Sequence, residues 1–316
     1  MKIFHIGLSA TGAPHNGLQE AFVNNCTEYA EINTAHPQLN EKCVEVCKAF
    51  RPDLVFIQVQ TPDIIREETI ISMRKTGAWI CNWTGDVRHP IPQWYYDLGK
   101  HLNVTLFTNF TDVHKMRADG LPSDYLQIGF DPKIYFPRKE YTHDAIPFFP
   151  IIFMANNYPE HKFPMADFRT SIIDSLKTLF PNDFALFGNG WQNAQGSYNG
   201  SQLQESLQYN HCSIAVNCSH FDYERYSSDR FLRIMGSGAF CLTQHWQKLE
   251  VDFIENKHLV AFNSIPEMAD LCKHYLAQNH KREKIAERGS EYVHKYFTFD
   301  CMIKNLIKIY EKKKWK

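Results

Sequence analysis

The sequence predicts an α/β protein made of two Rossmann-like, doubly wound parallel-sheet domains facing across a cleft. Three observations predict it. Short apolar strands alternate with helical segments from end to end, several strands are apolar at every position, and a proline-rich break divides the series near its middle. Continuous apolarity is expected where helices cover both faces of a parallel sheet, and βα alternation is the signature of such a sheet. A chain of 316 residues accommodates two domains of ordinary size.

In the first half the predicted strands are Lys2–Leu8, Tyr29–Asn33, Asp53–Val59, Ala78–Asn82, Val104–Thr108 and Asp124–Ile128. Helical patterns lie between them, among them Asn40–Phe50, with Cys43, Val44, Val46 and Cys47 facing inward, and Asp63–Lys75. Pro132, Pro137, Pro147 and Pro150 then end regular structure and mark a hinge. The alternation restarts with strand Ile151–Ala155, helix Ala166–Leu179, strand Asp183–Phe187, helix Gln202–Tyr209 and strand Cys212–Asn217. A helix from Ser228 and strand Ala239–Thr243 follow. Ser264, Pro266 and Glu267 open the next helix with a serine cap, a first-turn proline and a glutamate three residues on. Arg282–Tyr296 and Asp300–Glu311 complete the helical end. The expected domains are 1–137, acceptor-binding, and 151–299, donor-binding, with a linker at 138–150. A C-terminal helix, 300–316, is expected to pack back on the first domain.

Composition narrows the class. Hydrophobic residues make up 44% and charged residues 22%, which excludes a disordered or fibrous chain. A formal net charge of −1 gives no global attraction to nucleic acid or anionic membrane. Nine scattered cysteines form no paired metal motif and suggest free buried thiols in a reducing cytosol. The N-terminus runs straight into a strand without a signal-peptide apolar core, and no apolar run approaches a membrane span. A cytoplasmic protein without a membrane span is therefore expected.

The most informative stretch is Tyr226–Thr243: a capped helix start, two arginines one turn apart, a glycine-broken helix end and a short apolar strand. Helix N-termini carry unpaired N–H groups and the positive end of the dipole, a natural seat for phosphate. Arg230 and Arg233 lie three apart, on neighbouring positions of one helix face. With Ser228 and Asp229 they suggest a diphosphate site, and so a nucleotide-activated substrate.

Other candidates stand at predicted strand ends, where ligands of open α/β sheets sit. The loop holding Gly12 and Asn16 follows the first strand; it is a plain βα loop or part of a phosphate or acceptor floor, and its glycine spacing matches neither a dinucleotide fingerprint nor a P-loop. Trp83, Asp86 and Arg88 follow the strand ending at Asn82. Asp86 is the candidate general base toward an acceptor hydroxyl, against the plainer role of ordering the loop through Arg88. Asn109 ends a strand at the same edge and could line the acceptor side. Asn156 and Asn157 are either turn formers or partners for phosphate and sugar hydroxyls. Gly188, Gly190 and Trp191 could make a slot where a base stacks, or a glycine-rich turn with a partly buried indole. His211, Cys212, Cys218 and His220 bracket a strand whose alternation would not converge them on one ion, so no metal site is expected.

The run Arg230-Phe231-Leu232-Arg233-Ile234-Met235-Gly236-Ser237-Gly238 resembles the donor-binding half of GT-B glycosyltransferases. The likeness is to the subgroup related to spore-coat-maturation glycosyltransferases, in the family 1-like group. Phe187-Gly188-Asn189-Gly190-Trp191 and Ile285–Gly289 extend it over roughly residues 150–300. The resemblance implies metal-independent, retaining transfer of a hexosyl or pentosyl unit from a nucleotide sugar, a UDP-sugar above all, as co-substrate and without a further cofactor. It implies that Arg230 stabilises the departing diphosphate, the type of charge that lowers a barrier most when met by fixed donors. One departure stands out: many retaining GT-B enzymes carry a ribose-binding glutamate where this chain has Arg233, and an arginine accepts no hydrogen bond.

The acceptor stays open among a glycan, a small molecule, a protein and a hydroxymethylated DNA base, as in phage enzymes. A DNA acceptor would want a basic, aromatic channel, for which Arg88, Lys115, Arg117 and Trp94-Tyr95-Tyr96 are the candidates. A non-catalytic nucleotide-sugar-binding protein and an epimerase of the same fold are the alternatives.

Overall fold

The computed structural model describes residues 1–8, 16–138, 146–158, 163–196 and 201–314. The chain divides into two compact units, Met1–Asp131 with Phe299–Lys316, and Pro132–Thr298.

The first unit runs β1 (Lys2–Gly7), α1 (Asn16–Asn25), β2 (Glu28–Asn33), α2 (Leu39–Phe50), β3 (Leu54–Ile57), α3 (Glu67–Arg74), β4 (Trp79–Thr84), α4 (Gln93–Gly99), β5 (Val104–Phe107), α5 (Phe110–Ala118) and β6 (Ser123–Tyr125). All six strands are parallel, in the order β2-β1-β3-β4-β5-β6. β3, β4 and β5 are buried at every position, the apolar run of β3 as well as polar Asn82, Thr84 and Thr105 within β4 and β5. Several elements depart from the sequence expectation: α3 starts at Glu67 rather than Asp63, and β3 is confined to Leu54–Ile57. β4 continues two residues beyond Asn82, so Trp83 and Thr84 belong to the strand. The last strand is shorter and starts one residue earlier than expected.

The second unit holds β7 (Phe149–Met154), α6 (Ala166–Leu179), β8 (Phe184–Phe187), α7 (Gln202–Asn210), β9 (Cys212–Asn217), α8 (Asp229–Gly236), β10 (Cys241–Gln244), α9 (Leu249–Asp252), β11 (Val260–Phe262), α10 (Ile265–Ala277) and α11 (Asn279–Tyr296). Its sheet is parallel in the order β11-β10-β9-β7-β8. Ile151, Phe153, Leu186, Ile214, Val216, Leu242 and Val260 supply the strand side of one core, against Ile172, Ile173 and Leu176 of α6. Ser264 caps α10, its Oγ accepting from Glu267 N at 3.3 Å, while Glu267 Oε2 accepts from Asn263 N. The final helix, α12 (Phe299–Lys314), packs on α1 within the first unit, and Asn25 Nδ2 donates to Asp300.

In each sheet the chain order reverses once, between β1 and β3 and between β7 and β9. Crevices beyond the carboxyl ends of strands at such reversals are where open α/β folds bind ligands.

Candidate functional site

Beyond the carboxyl ends of β7 and β9, two guanidinium groups converge. Arg230, in the first turn of α8, donates from Nε to Asn217 Oδ1 at 3.0 Å and from Nη2 to the Cys218 carbonyl at 2.8 Å. Asn217 is fixed in turn, its Nδ2 donating to Thr243 Oγ1 at 3.0 Å. Arg230 has no carboxylate partner among the described residues. Arg169 comes from the opposite side, on α6. It is 1% exposed and donates from Nη2 to the Asn156 carbonyl at 3.0 Å and from Nη1 to His220 Nε2. The Phe153 ring lies 5.3 Å from the Arg169 guanidinium and 5.8 Å from that of Arg230.

This local field shows in the nearby titratable groups. Burial, then Arg169 and Arg230, push His220 down to about 3. Burial outweighs both arginines at Cys218 and lifts its thiol to about 12, so it is no thiolate nucleophile.

The start of α8 lies at this edge. Ser228 occupies the cap position in extended backbone (φ −72°, ψ 160°) without making the capping bond, and its Oγ is buried with no hydrogen-bond partner among the described residues. Asp229 Oδ1 instead accepts from Arg230 N at 2.7 Å. Arg233 diverges from Arg230. Its Nη2 meets Asp229 Oδ2 at 2.7 Å and its Nη1 meets buried Glu205 at 3.4 Å, with the Tyr135 ring 5.5 Å away. Two carboxylates already match its charge. The one-face spacing of the two arginines thus does not produce a paired clamp; Arg230 alone of the two reaches the strand ends.

The asparagine and glycine loops meet each other. Asn156 Oδ1 accepts from Asn189 N at 2.9 Å, and Asn157 Nδ2 donates to the Gly190 carbonyl at 3.2 Å. Gly188 has φ 138°, and a Cβ there would stand 2.0 Å from the Ala155 oxygen; at Gly190 (φ 77°) it would stand 2.5 Å from the Asn157 oxygen. Both glycines serve this loop-to-loop approach. Trp191 donates from Nε1 to the Ala155 carbonyl at 2.6 Å and packs against the core, with Arg169 5.9 Å from its ring.

The first unit uses its candidates differently. Trp83 is fully buried, donates to the Leu126 carbonyl at 3.0 Å and stacks near Phe56; it is a core residue and faces no acceptor. Asn109 is also fully buried and caps α5, accepting from Asp112 N at 2.7 Å and donating to Asp112 Oδ2 at 2.9 Å. Arg88 is tied to Thr84 and Gln60 and lies 5.1 Å from the Tyr95 ring. Asp86 is exposed, and its backbone closes a turn with Thr84 Oγ1. Gly12 and the Asn16 side chain lie outside the described residues. Of the residues considered for a DNA channel, Arg117 pairs with Asp124 and the Ser123 carbonyl, and Tyr95 is buried beside Phe107. No group of acidic, histidine or cysteine side chains able to hold a metal occurs among the described residues, and the cysteines are free. No helix among them is long and apolar enough to cross a membrane.

Sequence reasoning missed Arg169 and weighed His220 as a metal ligand alone. A signal for Arg169 existed: it occupies the apolar face of α6 with Ile172, Ile173 and Leu176 at +3, +4 and +7, where an aliphatic residue is expected. A charge placed there needs a reason.

Residues 169–308 match a protein family described as glycosyl transferase-like. Solved structures match over nearly the whole chain. The HepE protein of Anabaena, crystallised with UDP and glucose, superposes with a TM-score of 0.66 at 10% identity, covering 99% of this chain and 100% of its own. This chain has the GT-B glycosyltransferase fold. A glycosyltransferase of Rickettsia africae matches with a TM-score of 0.67 at 13% identity, over 99% of this GT-B chain and 98% of that one. Sucrose-phosphate synthase of Thermosynechococcus elongatus gives 0.64 at 11% identity, over 98% of both chains. No curated protein sequence matches this one.

Proposed function

We propose that this GT-B protein is a glycosyltransferase that takes a hexosyl or pentosyl unit from a nucleotide sugar, with the donor seated at the carboxyl edge of the second unit's sheet. The observation that carries the proposal is Arg230: a guanidinium fixed at the β9 end and the start of α8, without a carboxylate partner among the described residues, beside buried Arg169. A half-buried guanidinium held by neutral oxygens keeps its charge available for an anion, and charge-assisted bonds to phosphate are among the strong ones. A diphosphate is such an anion, and gains the helix dipole and the vacant Ser228 hydroxyl.

Glycosyl transfer places new negative charge on the departing nucleoside diphosphate as the sugar–phosphate bond breaks. Groups already oriented toward that charge stabilise the transition state without reorganising. Arg230 is such a group, and its role is the one a divalent metal fills elsewhere, so transfer here is metal-independent. UDP is the proposed nucleotide, supported by the fold shared with HepE, a protein crystallised with UDP. The first unit selects the acceptor hydroxyl, and the proposed course is retaining, with exposed Asp86 ordering a turn rather than acting as a base. The free cysteines suit the reducing cytosol.

The experiment is UDP-sugar turnover, with and without added acceptor, by wild type and Arg230→Ala. Slow UDP release by wild type in EDTA, and its loss in the variant at unchanged melting temperature, supports the proposal. Binding without any release supports a non-catalytic sugar-nucleotide protein. Interconversion of the sugar without acceptor supports an epimerase.

A further inference from the structure

His220, in the loop after β9, stands in the same cationic region without an assigned part. Arg169 Nη1 meets its Nε2, and Arg230 grips the Cys218 carbonyl two residues before it. A guanidinium nitrogen donates and never accepts. His220 Nε2 is therefore the acceptor, the ring is uncharged, and its one proton sits on Nδ1. That atom is buried and has no hydrogen-bond partner among the described residues. The ring is held by Phe163 at 4.6 Å and Tyr158 at 5.9 Å, centroid to centroid. A buried donor left unmatched is costly and rare in folded proteins, so each one calls for a partner.

We propose that His220 is a ligand-contacting residue of the donor site, its Nδ1–H donating to an oxyanion of the bound diphosphate. The inference rests on the donor-site proposal and deepens it. Arg169 then has a definite part: it sets the tautomer of His220 and keeps the ring from taking a second proton. The low pKa of about 3 agrees with this. Such a ring supplies a fixed hydrogen bond across the physiological pH range, and it does not act as the general base.

Two substitutions separate the ligand contact from a merely structural bond to Arg169. His220→Asn places an amide N–H near the position of Nδ1, whereas His220→Gln places an amide oxygen near Nε2 to receive Arg169. Calorimetric titration of UDP into the full chain should leave His220→Asn within about threefold of wild type. His220→Gln should weaken by about tenfold or more, the usual worth of a hydrogen bond to a charged group. Both comparisons hold at matched melting temperature. The reverse order, or equal affinities in all three proteins, overturns the proposal. Nitrogen-15 spectra of wild type give an independent readout: an Nδ1-protonated ring whose Nδ1–H shifts on UDP addition is expected, and an Nε2-protonated ring overturns it. If wild type binds UDP and His220→Gln binds it equally, only the His220 assignment falls. If wild type binds no UDP, the donor-site proposal falls and takes this one with it.

Discussion

The carboxyl edges of the two sheets make an instructive pair. Both sheets are parallel and both reverse strand order once, so the fold offers each the same kind of crevice. The first unit spends its polar and aromatic edge residues on its own architecture: Trp83 on the Leu126 carbonyl, Asn109 on the α5 cap, Arg88 on Thr84 and Gln60. Both edges keep buried polar atoms without hydrogen-bond partners among the described residues, Gln58 Nε2 and Thr108 Oγ1 in the first unit and Ser228 Oγ and His220 Nδ1 in the second, but the second unit brings two guanidinium groups, Arg169 and Arg230, to one edge. The difference teaches that converging charge at a strand end, more than any single promising residue there, is what points to a ligand.

The contrast can be broken by mutation, and Arg230→Ala should show the largest effect. It is expected to lower kcat/KM by about 10²–10³, the loss seen when one donor to developing negative charge is removed, while the melting temperature stays nearly constant. Trp83→Ala should do the opposite, costing about 3–5 kcal/mol of stability by emptying a core site, which urea unfolding measures, with donor affinity unchanged in the folded fraction. Asn109→Ala should cost about 1–2 kcal/mol through loss of the α5 cap, again without changing donor affinity. A drop in UDP affinity for either first-unit variant would erase the contrast.

A smaller effect concerns pH. His220 is depressed in the folded state relative to its unfolded value, so between about 3 and 6.5 the unfolded chain binds the extra proton. Its contribution to stability is thus complete above about 6.5 and is lost as pH falls toward 3. Melting temperatures measured across that interval should decline less steeply for His220→Gln than for wild type. The smallest effect is expected at Asp86. As an exposed turn residue in a retaining scheme, Asp86→Asn should leave the turnover rate within about twofold, whereas a general base would carry about 10²–10⁴.

Much of the fold was legible in the chain because parallel strands buried on both faces leave continuous apolar runs, and prolines at 132 and 137 mark the passage between units. The short helix α9 and strand β11 left too few residues for a period to show. The misplacement of Trp83 followed from ending β4 at Asn82: polar Asn82 and Thr84 resemble the start of a loop, yet both are buried in the strand. The Asn109–Asp112 cap was visible as an asparagine three residues before an acid, but a strand end and a helix start coincide there. In the donor region, Arg230 was found through its helix start. Arg233 shared the same motif, and only the tertiary fold could reveal that Glu205, on another helix, receives it. Arg169 and His220 come together from segments 51 residues apart, a pairing that no local pattern encodes.

The most direct measurement is a calorimetric titration of UDP into wild type and Arg230→Ala, with both proteins shown to be equally folded. A single saturable site in wild type, weakened about a hundredfold or more in the variant, is the expected result. Equal affinity in the two proteins, or no binding to wild type, would contradict a donor site at the β9–α8 edge.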